Sequence, residues 1–297
     1  MVGTGAARGQ SGGSAKRCRL EVGSDGVKPG LGSGMNLDLT GKRALVCGAS
    51  AGLGRACAVE LAGLGADVTL VARSREKLEA ALSQLPRKGS QTHELLTCDL
   101  SDSGRASEAV EEAIRVSGRP VLVLINNTGG PAPGKAIDTS VAAFRAGFES
   151  LLATPHVLVQ AVVPGMKAAG FGRVINIAST SVKQPIANLA VSNAIRAATA
   201  NWAKTLSQEL AGFGITVNNV LPGYTDTERL AEIFEMRAKK SGCSLDEARR
   251  GVITDIPAGR LGTPGEIAAA VAFLASPAAA YVNGINLPVD GGRLGSL

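Results

Sequence analysis

The stretch Gly48-Ala49-Ser50-Ala51-Gly52-Leu53-Gly54 has residue types and a spacing suited to holding a phosphate. It follows a compact apolar run, Ala44-Leu45-Val46-Cys47, that reads as a buried strand. It opens a segment, 53–64, with apolar residues at helical spacing. A strand, a glycine turn and a helix start together make a phosphate cradle. Absent side chains let the backbone approach a pyrophosphate, and the helix N-terminus offers free N–H groups and a partial positive charge. The pattern is G-x-x-x-G-x-G, not the commoner G-x-G-x-x-G. With 38 glycines in 297 residues, a ligand-free helix-start turn would give the same spacing by chance. The rest of the chain has to supply the support.

The elements that would position such a cradle follow in strict alternation. Strands are predicted at 67–72, 95–98, 121–125, 174–178, 215–220 and 284–288, and helices at 74–85, 107–116, 141–166, 188–211 and 264–275. The helix at 141–166 is expected to kink at Pro155, and 226–250 reads as a polar helical region. The run 121–125 is almost wholly aliphatic, as a strand buried on both faces should be. This alternation predicts an α/β fold, a single doubly wound parallel sheet of the Rossmann type flanked by helices. No linker divides residues 35–297, so they read as one domain.

Composition bounds the function. An apolar fraction of 45% is ample for a core, and with only 3% aromatics small aliphatic residues must do most of the packing. No apolar run approaches membrane-spanning length, so a soluble protein with no membrane partner is expected. The net charge is +6, yet there is no basic stripe interleaved with aromatics, which argues against nucleic acid. Cys18, Cys47, Cys57, Cys98 and Cys243 have no metal-binding spacing, and Cys47 and Cys98 end apolar runs as small hydrophobes would. No metal is expected, and a reducing cytoplasm fits this cysteine usage. Residues 1–34 are rich in Gly and Ser, lack the apolar core of a secretory signal, and are expected to be a disordered extension. Met35 is expected to be the natural start, with what precedes it a mis-called extension or a flexible leader.

Further stretches sit where a doubly wound sheet binds ligands, beyond strand ends. They are Asn126-Asn127-Thr128-Gly129, Ser179, Pro222-Gly223, Gly259-Arg260-Leu261-Gly262-Thr263-Pro264 and Val289-Asp290-Gly291-Gly292. With the glycine turn, in this order, they resemble a short-chain dehydrogenase/reductase, close to the 3-oxoacyl-carrier-protein reductase type, over about residues 36–292. The resemblance implies a nicotinamide cofactor held by Gly48, Ser50, Ala51, Gly52, Leu53 and Gly54. It also implies contacts from Asp99 and Leu100 to adenine, and from Asn127, Thr128, Gly129, Pro222, Gly223 and Thr225 further along the dinucleotide. Asp99 could equally cap a turn. The second predicted strand ends in Ala72-Arg73-Ser74 rather than in an acid. An acid there would bond a ribose 2′-hydroxyl, whereas a guanidinium suits a 2′-phosphate, so NADP(H) is favoured over NAD(H).

The catalytic positions depart from the family pattern. Family members use a Ser, a Tyr-x-x-x-Lys pair and an Asn on the preceding long helix. Ser179 matches the serine. Family spacing counted forward from Ser179 and back from Asn218 agrees without a gap on Ser192 and Arg196 in place of Tyr and Lys, with Leu151 in place of Asn. A register through Leu189 and Asn193 needs two compensating gaps and also lacks Tyr and Lys. A phenol near pKa 10 can be tuned towards neutrality by a cation; a serine hydroxyl is far less acidic and shorter. Arg196 could hold ribose hydroxyls and favour an oxyanion, but cannot release its proton near neutral pH. Tyr224 and Lys183 are the other candidate proton sources, with a lid residue and a solvated loop residue as the plainer readings; His156 reads as a surface or interface residue.

Two functions follow. The first is an NADP(H)-dependent oxidoreductase of a small carbonyl or alcohol with an atypical proton route. The second is a non-catalytic NADP(H)-binding protein, either a sensor or a subunit of a mixed oligomer. The helices at 141–166 and 188–211 resemble those that pair between subunits in the family, so a homodimer or homotetramer is expected. The lid residues Arg229, Arg237, Lys239 and Lys240 hint at an acidic or carrier-bound substrate, although a charged solvated helix explains them equally well.

Overall fold

The structure is a computed structural model that describes residues 34–296. The expected disorder of residues 1–34 therefore falls, up to residue 33, outside the described residues. From Asn36 onward the chain forms one compact unit. Its single sheet has seven parallel strands: β1 (Arg43–Cys47), β2 (Asp67–Ala72), β3 (Glu94–Thr97), β4 (Val123–Asn126), β5 (Gly172–Ile177), β6 (Ile215–Pro222) and β7 (Asn286–Val289). The spatial order is β3-β2-β1-β4-β5-β6-β7. The direction of winding therefore reverses between β1 and β4, the switch point at which a crevice opens beyond the carboxyl ends of the strands.

Nine α-helices accompany the described strands: α1 (Gly52–Gly63), α2 (Arg75–Leu82), α3 (Ser103–Ser117), α4 (Val141–Phe148), α5 (Thr154–Ala169), α6 (Ala190–Leu210), α7 (Glu228–Ser241), α8 (Leu245–Ile253) and α9 (Pro264–Ala275). Side chains alternate across each strand, so neighbours in sequence enter opposite cores. Ala44, Val46, Val123 and Ile125 pack with Leu61 of α1 and Val271 of α9. Leu45, Leu124, Val174 and Val217 pack with Val110 of α3 and Leu158 and Met166 of α5. That double burial is why the central strands read as continuous apolar runs. Leu230 and Phe234 of α7 and Val252 of α8 form a separate small cluster with Ile256 and Leu261.

Three differences from the sequence reading have physical reasons. The helix expected at 141–166 is α4 and α5 joined by a π-helical turn, Glu149–Ala153, directly before Pro155. Proline has no N–H, so Leu151 O loses its ordinary helical partner. Thr199 Oγ1 of α6 stands 2.9 Å from that carbonyl, and Thr128 Oγ1 donates to the adjacent Ser150 O at 3.3 Å. The polar region 226–250 resolves into α7 and α8, each started by a hydroxyl cap, Thr227 and Ser244. The expectation that nothing approaches membrane-spanning length is corrected. The helical stretch Val141–Ala169 has 29 residues and is long and apolar enough to cross a membrane by length and composition. Its inner face, Leu158, Val159, Val162 and Met166, packs in the core.

Candidate functional site

The glycine turn is shaped by its contact with the β4 loop. Gly48 has φ +58°, and a Cβ there would stand 2.6 Å from Asn127 O. A Cβ on Gly54 would stand 2.7 Å from Gly48 C and 2.8 Å from Asn127 Nδ2. Side chains are excluded at both positions. Asn127 Nδ2 donates to Cys47 O and Gly48 O at 3.2 and 3.3 Å, tying the end of β1 to the end of β4 across the switch point. Ser50, Ala51 and Leu53 complete the turn. The first turn of α1 receives no side-chain cap from Ala51 and contains no acidic residue. Of the other helices, α2, α3, α4, α7, α8 and α9 are capped by a side chain at the preceding residue, whereas α5 and α6 are not. The free N–H groups of α1 thus form a donor set suited to an anion.

Arg73 is exposed immediately after β2. Beside it Ser74 caps α2 by accepting from Lys77 N at 3.3 Å. Asp99 accepts from Ser101 N and Oγ at 3.0 and 2.8 Å, which holds its carboxyl below the usual range, with the charge of Arg73 contributing further. The carboxylate therefore caps its own turn. Leu100 is buried, and its carbonyl accepts from Thr154 Oγ1 at 3.0 Å. Thr128 and Gly129 lie at the crevice beyond β4. Pro222 ends β6, and Gly223 packs so closely on Asp290 that a Cβ would stand 2.7 Å from Asp290 Cα. Thr225 is buried and bridges to Gly262. The motif 259–264 has a structural task here: Gly262 N donates to Tyr224 O and Gly262 O accepts from Asp226 N, pinning the strand-to-lid segment.

At the expected catalytic positions, Ser179 follows β5 and accepts from Ser181 N at 3.1 Å, capping a short turn. Ser192 and Arg196 face each other one helical turn apart, with Arg196 Nε donating to Ser192 Oγ at 3.3 Å. Arg196 Nη1 donates to Ile177 O and Ala178 O, both at 2.9 Å. The guanidinium thus braces the end of β5, one residue from Ser179. Burial, and then the charge of Arg229, push its pKa down to about 10. Asn193, from the competing register, turns the other way and clamps Ile186 through its N–H and carbonyl. Leu151 is buried in the π-helical turn. Tyr224 packs with the lid cluster and carries the Arg293 guanidinium 4.8 Å from its ring centre. His156 is an exposed residue of α5 that accepts from Trp202 Nε1 at 3.3 Å.

Two features have no counterpart in the sequence reading. Asn126, Asn176, Asn219 and Asn286 stand in register on four adjacent strands. Each Nδ2 donates to the next Oδ1 at 2.8–2.9 Å, giving a hydrogen-bonded amide ladder across half the sheet. The unused acceptor at its β4 end, Asn126 Oδ1, is buried without a protein partner. It ends at a cavity of about 20 Å³, shared with Thr128, Leu151, Arg196 and Thr199, which has room for one water. The only signal in the sequence was one Asn in each strand, ending β4 and opening β7. The second feature is Gly130, one residue beyond the quoted motif, which lies under the Arg229 guanidinium. Among the described residues no group of His, Cys, Asp or Glu could hold a metal. Cys47 and Cys57 are buried, which raises each thiol to about 12.

A parallel doubly wound sheet with an uncapped glycine-turn helix at its switch point defines a dinucleotide-binding protein. The chain belongs to the short-chain dehydrogenase/reductase family: residues 48–293 match the family described as enoyl-(acyl carrier protein) reductase. Among its relatives, the NADPH-dependent reductase BacG of Bacillus subtilis is 32% identical, covering 86% of this chain and 99% of that one. The 3-oxoacyl-[acyl-carrier-protein] reductase FabG of Vibrio cholerae is 35% identical, covering 86% and 98%. In structure the chain is similar to L-sorbose reductase of Gluconobacter frateurii, solved with NADPH and L-sorbose, with a TM-score of 0.83 and 30% identity, covering 89% and 100%. The residues present fit such a cofactor. The first turn of α1 leaves its N–H groups for a pyrophosphate, Gly129 has nothing within 4 Å of where a Cβ would be, and Arg73 directly follows β2 where an acid would repel a 2′-phosphate.

Proposed function

We propose that this protein is an NADP(H)-dependent oxidoreductase of a small carbonyl or alcohol substrate. The observation that carries the reading is the uncapped first turn of α1 at the switch point, followed at the end of β2 by Arg73 instead of an acid. Bound NADPH supplies the hydride. Gly48, Ser50, Ala51, Gly52, Leu53 and Gly54 hold its pyrophosphate, and Arg73 with Ser74 its 2′-phosphate. Asn127, Thr128, Gly129, Pro222, Gly223 and Thr225 shape the remaining cleft. Ser179 Oγ–H donates to the substrate carbonyl. Ser192 and Arg196 replace the family's phenol and amine, so Arg196 favours the developing oxyanion while water delivers the proton. General acid catalysis by a side chain is ordinarily worth about 10²–10⁴-fold, and this site gives it up. The buried, unpaired cysteines suit a reducing cytoplasm, and the outer faces of α4 to α6 suit a homodimer or homotetramer.

The second reading, a non-catalytic NADP(H)-binding protein, is favoured by one observation. The Nη1 of Arg196 is occupied by the carbonyls of β5, as a structural brace would be. Two assays separate the readings. NADPH binding is followed by fluorescence, and NADPH consumption is measured against a panel of ketones, aldehydes and oxo acids. Turnover on any of them supports the enzyme. Binding with no turnover on all of them supports the binding protein.

A further inference from the structure

Arg229 is the second residue of α7, and its guanidinium reaches from the lid to the loop beyond β4. A Cβ on Gly130 would stand 2.8 Å from its Nη1 and 2.9 Å from its Cζ. Arg196 is held by Ile177 O and Ala178 O. The two cations are close enough that Arg229 helps to push the Arg196 pKa down. Packing around Arg229 lowers its own pKa as well. Like charges in one cleft repel, and a carboxylate ordinarily relieves such a pair. Asp226, three residues before Arg229 in the chain, pairs with Arg249 at 3.7 Å. Among the described residues Arg229 makes no ion pair, and Glu232 acts on it only through its charge.

We propose that Arg229, facing Arg196, is the substrate's anion clasp, and that the carbonyl compound handled here is an oxo acid whose carboxylate docks on the Arg229 guanidinium. This rests on the oxidoreductase reading above. The forked donors of a guanidinium match the two oxygens of a carboxylate. With Nε on Ser192 and Nη1 on two carbonyls, Arg196 has only Nη2 left to turn towards the cleft. Arg229 is therefore the grip, and Arg196 adds its field. The cofactor's phosphates have other partners in the free N–H groups of α1 and in Arg73.

The full chain saturated with NADP⁺ is titrated by calorimetry with pyruvate, acetoacetate and levulinate, and with the methyl ester of each. At least one acid should bind tenfold or more tightly than its ester. Arg229→Gln should abolish that preference, Arg229→Lys should keep part of it, and NADPH affinity should stay within twofold in both. Gly130→Ala keeps the Arg229 side chain but pushes its guanidinium out of position, because the added methyl would stand within 3.0 Å of it, and should also weaken the acid and not the ester. Equal binding of acids and esters, or no binding of either, overturns the clasp. So does an Arg229→Gln variant that loses NADPH as much as acid, because the guanidinium would then serve the cofactor. Acid binding with no turnover of any carbonyl would remove the reductase and leave the clasp. Turnover of neutral ketones with no preference for acids would do the reverse.

Discussion

Arg73 tests the cofactor assignment at the scale of one residue. It is exposed, so replacing it disturbs little else. Arg73→Asp exchanges a phosphate partner for a phosphate repeller. A hydrogen bond to a charged group is worth about 1.5–3 kcal/mol, so NADPH affinity should fall roughly tenfold to a hundredfold while NADH affinity rises. Unchanged discrimination in fluorescence titrations would remove Arg73 from the site. Ser179 and Arg196 test the chemistry. Ser179→Ala should lower kcat/KM with NADPH affinity nearly intact, because its hydroxyl is assigned to the substrate carbonyl. Arg196→Ala should damage activity and stability together, since Ile177 O and Ala178 O lose their donor. Restoring the family pair with Ser192→Tyr and Arg196→Lys should raise the rate on simple ketones, provided the phenol fits without overpacking. Rates untouched by both Ser179→Ala and Arg196→Ala would place the chemistry elsewhere, with Tyr224 the next residue to change.

At the scale of elements, two polar devices hold the sheet and the site together. The π-helical turn before Pro155 frees Leu151 O, and Thr199 Oγ1 lies within 2.9 Å of it. Thr199→Val keeps the shape and removes the hydroxyl. It should cost about 1–3 kcal/mol, read as a lower midpoint in urea with an unchanged slope. An unchanged midpoint would mean that the hydroxyl bonds only to Ile195 O, its other neighbour at 2.9 Å. The amide ladder makes a sharper case. Asn219→Leu in the middle of it strands Asn176 Nδ2 and Asn286 Oδ1, at about 1–3 kcal/mol for each buried group left without a partner. Calorimetry should show a large drop in Tm. Truncation at the end of the ladder, Asn286→Ala, should cost less, because it strands only Asn219 Nδ2.

For the whole molecule, α6 is the element to watch. Ala194, Ala197 and Ala198 are exposed on it, and small side chains let a second helix approach closely. Ala198→Glu should therefore convert the expected dimer or tetramer to monomer in light scattering at micromolar concentration, with NADPH binding retained. A monomeric wild type would sink that expectation. The outer face of α4 exposes Val141 and Phe148, apolar surface that such an assembly could cover.

The strand-helix alternation and the glycine turn were legible because both are local. The run 121–125 is apolar wherever it is placed, and the β2 and α9 bounds come from periodicity, capping and Pro264 alone. The family pattern likewise told which positions to inspect, with Ser192 and Arg196 expected where the family has Tyr and Lys. What those side chains touch was decided by the tertiary structure. Whether Arg196 points to the cleft or to β5 depends on carbonyls 18 and 19 residues away in the chain. The four asparagines become a ladder only because β4, β5, β6 and β7 pair in one register, and a slip of a single residue would turn a rung to the opposite face. Arg229 is one of several basic residues in a charged lid by sequence, and only the closure of that lid over Gly130 distinguishes it. Side-chain partners of this kind are long-range contacts, and no pattern along the chain encodes them.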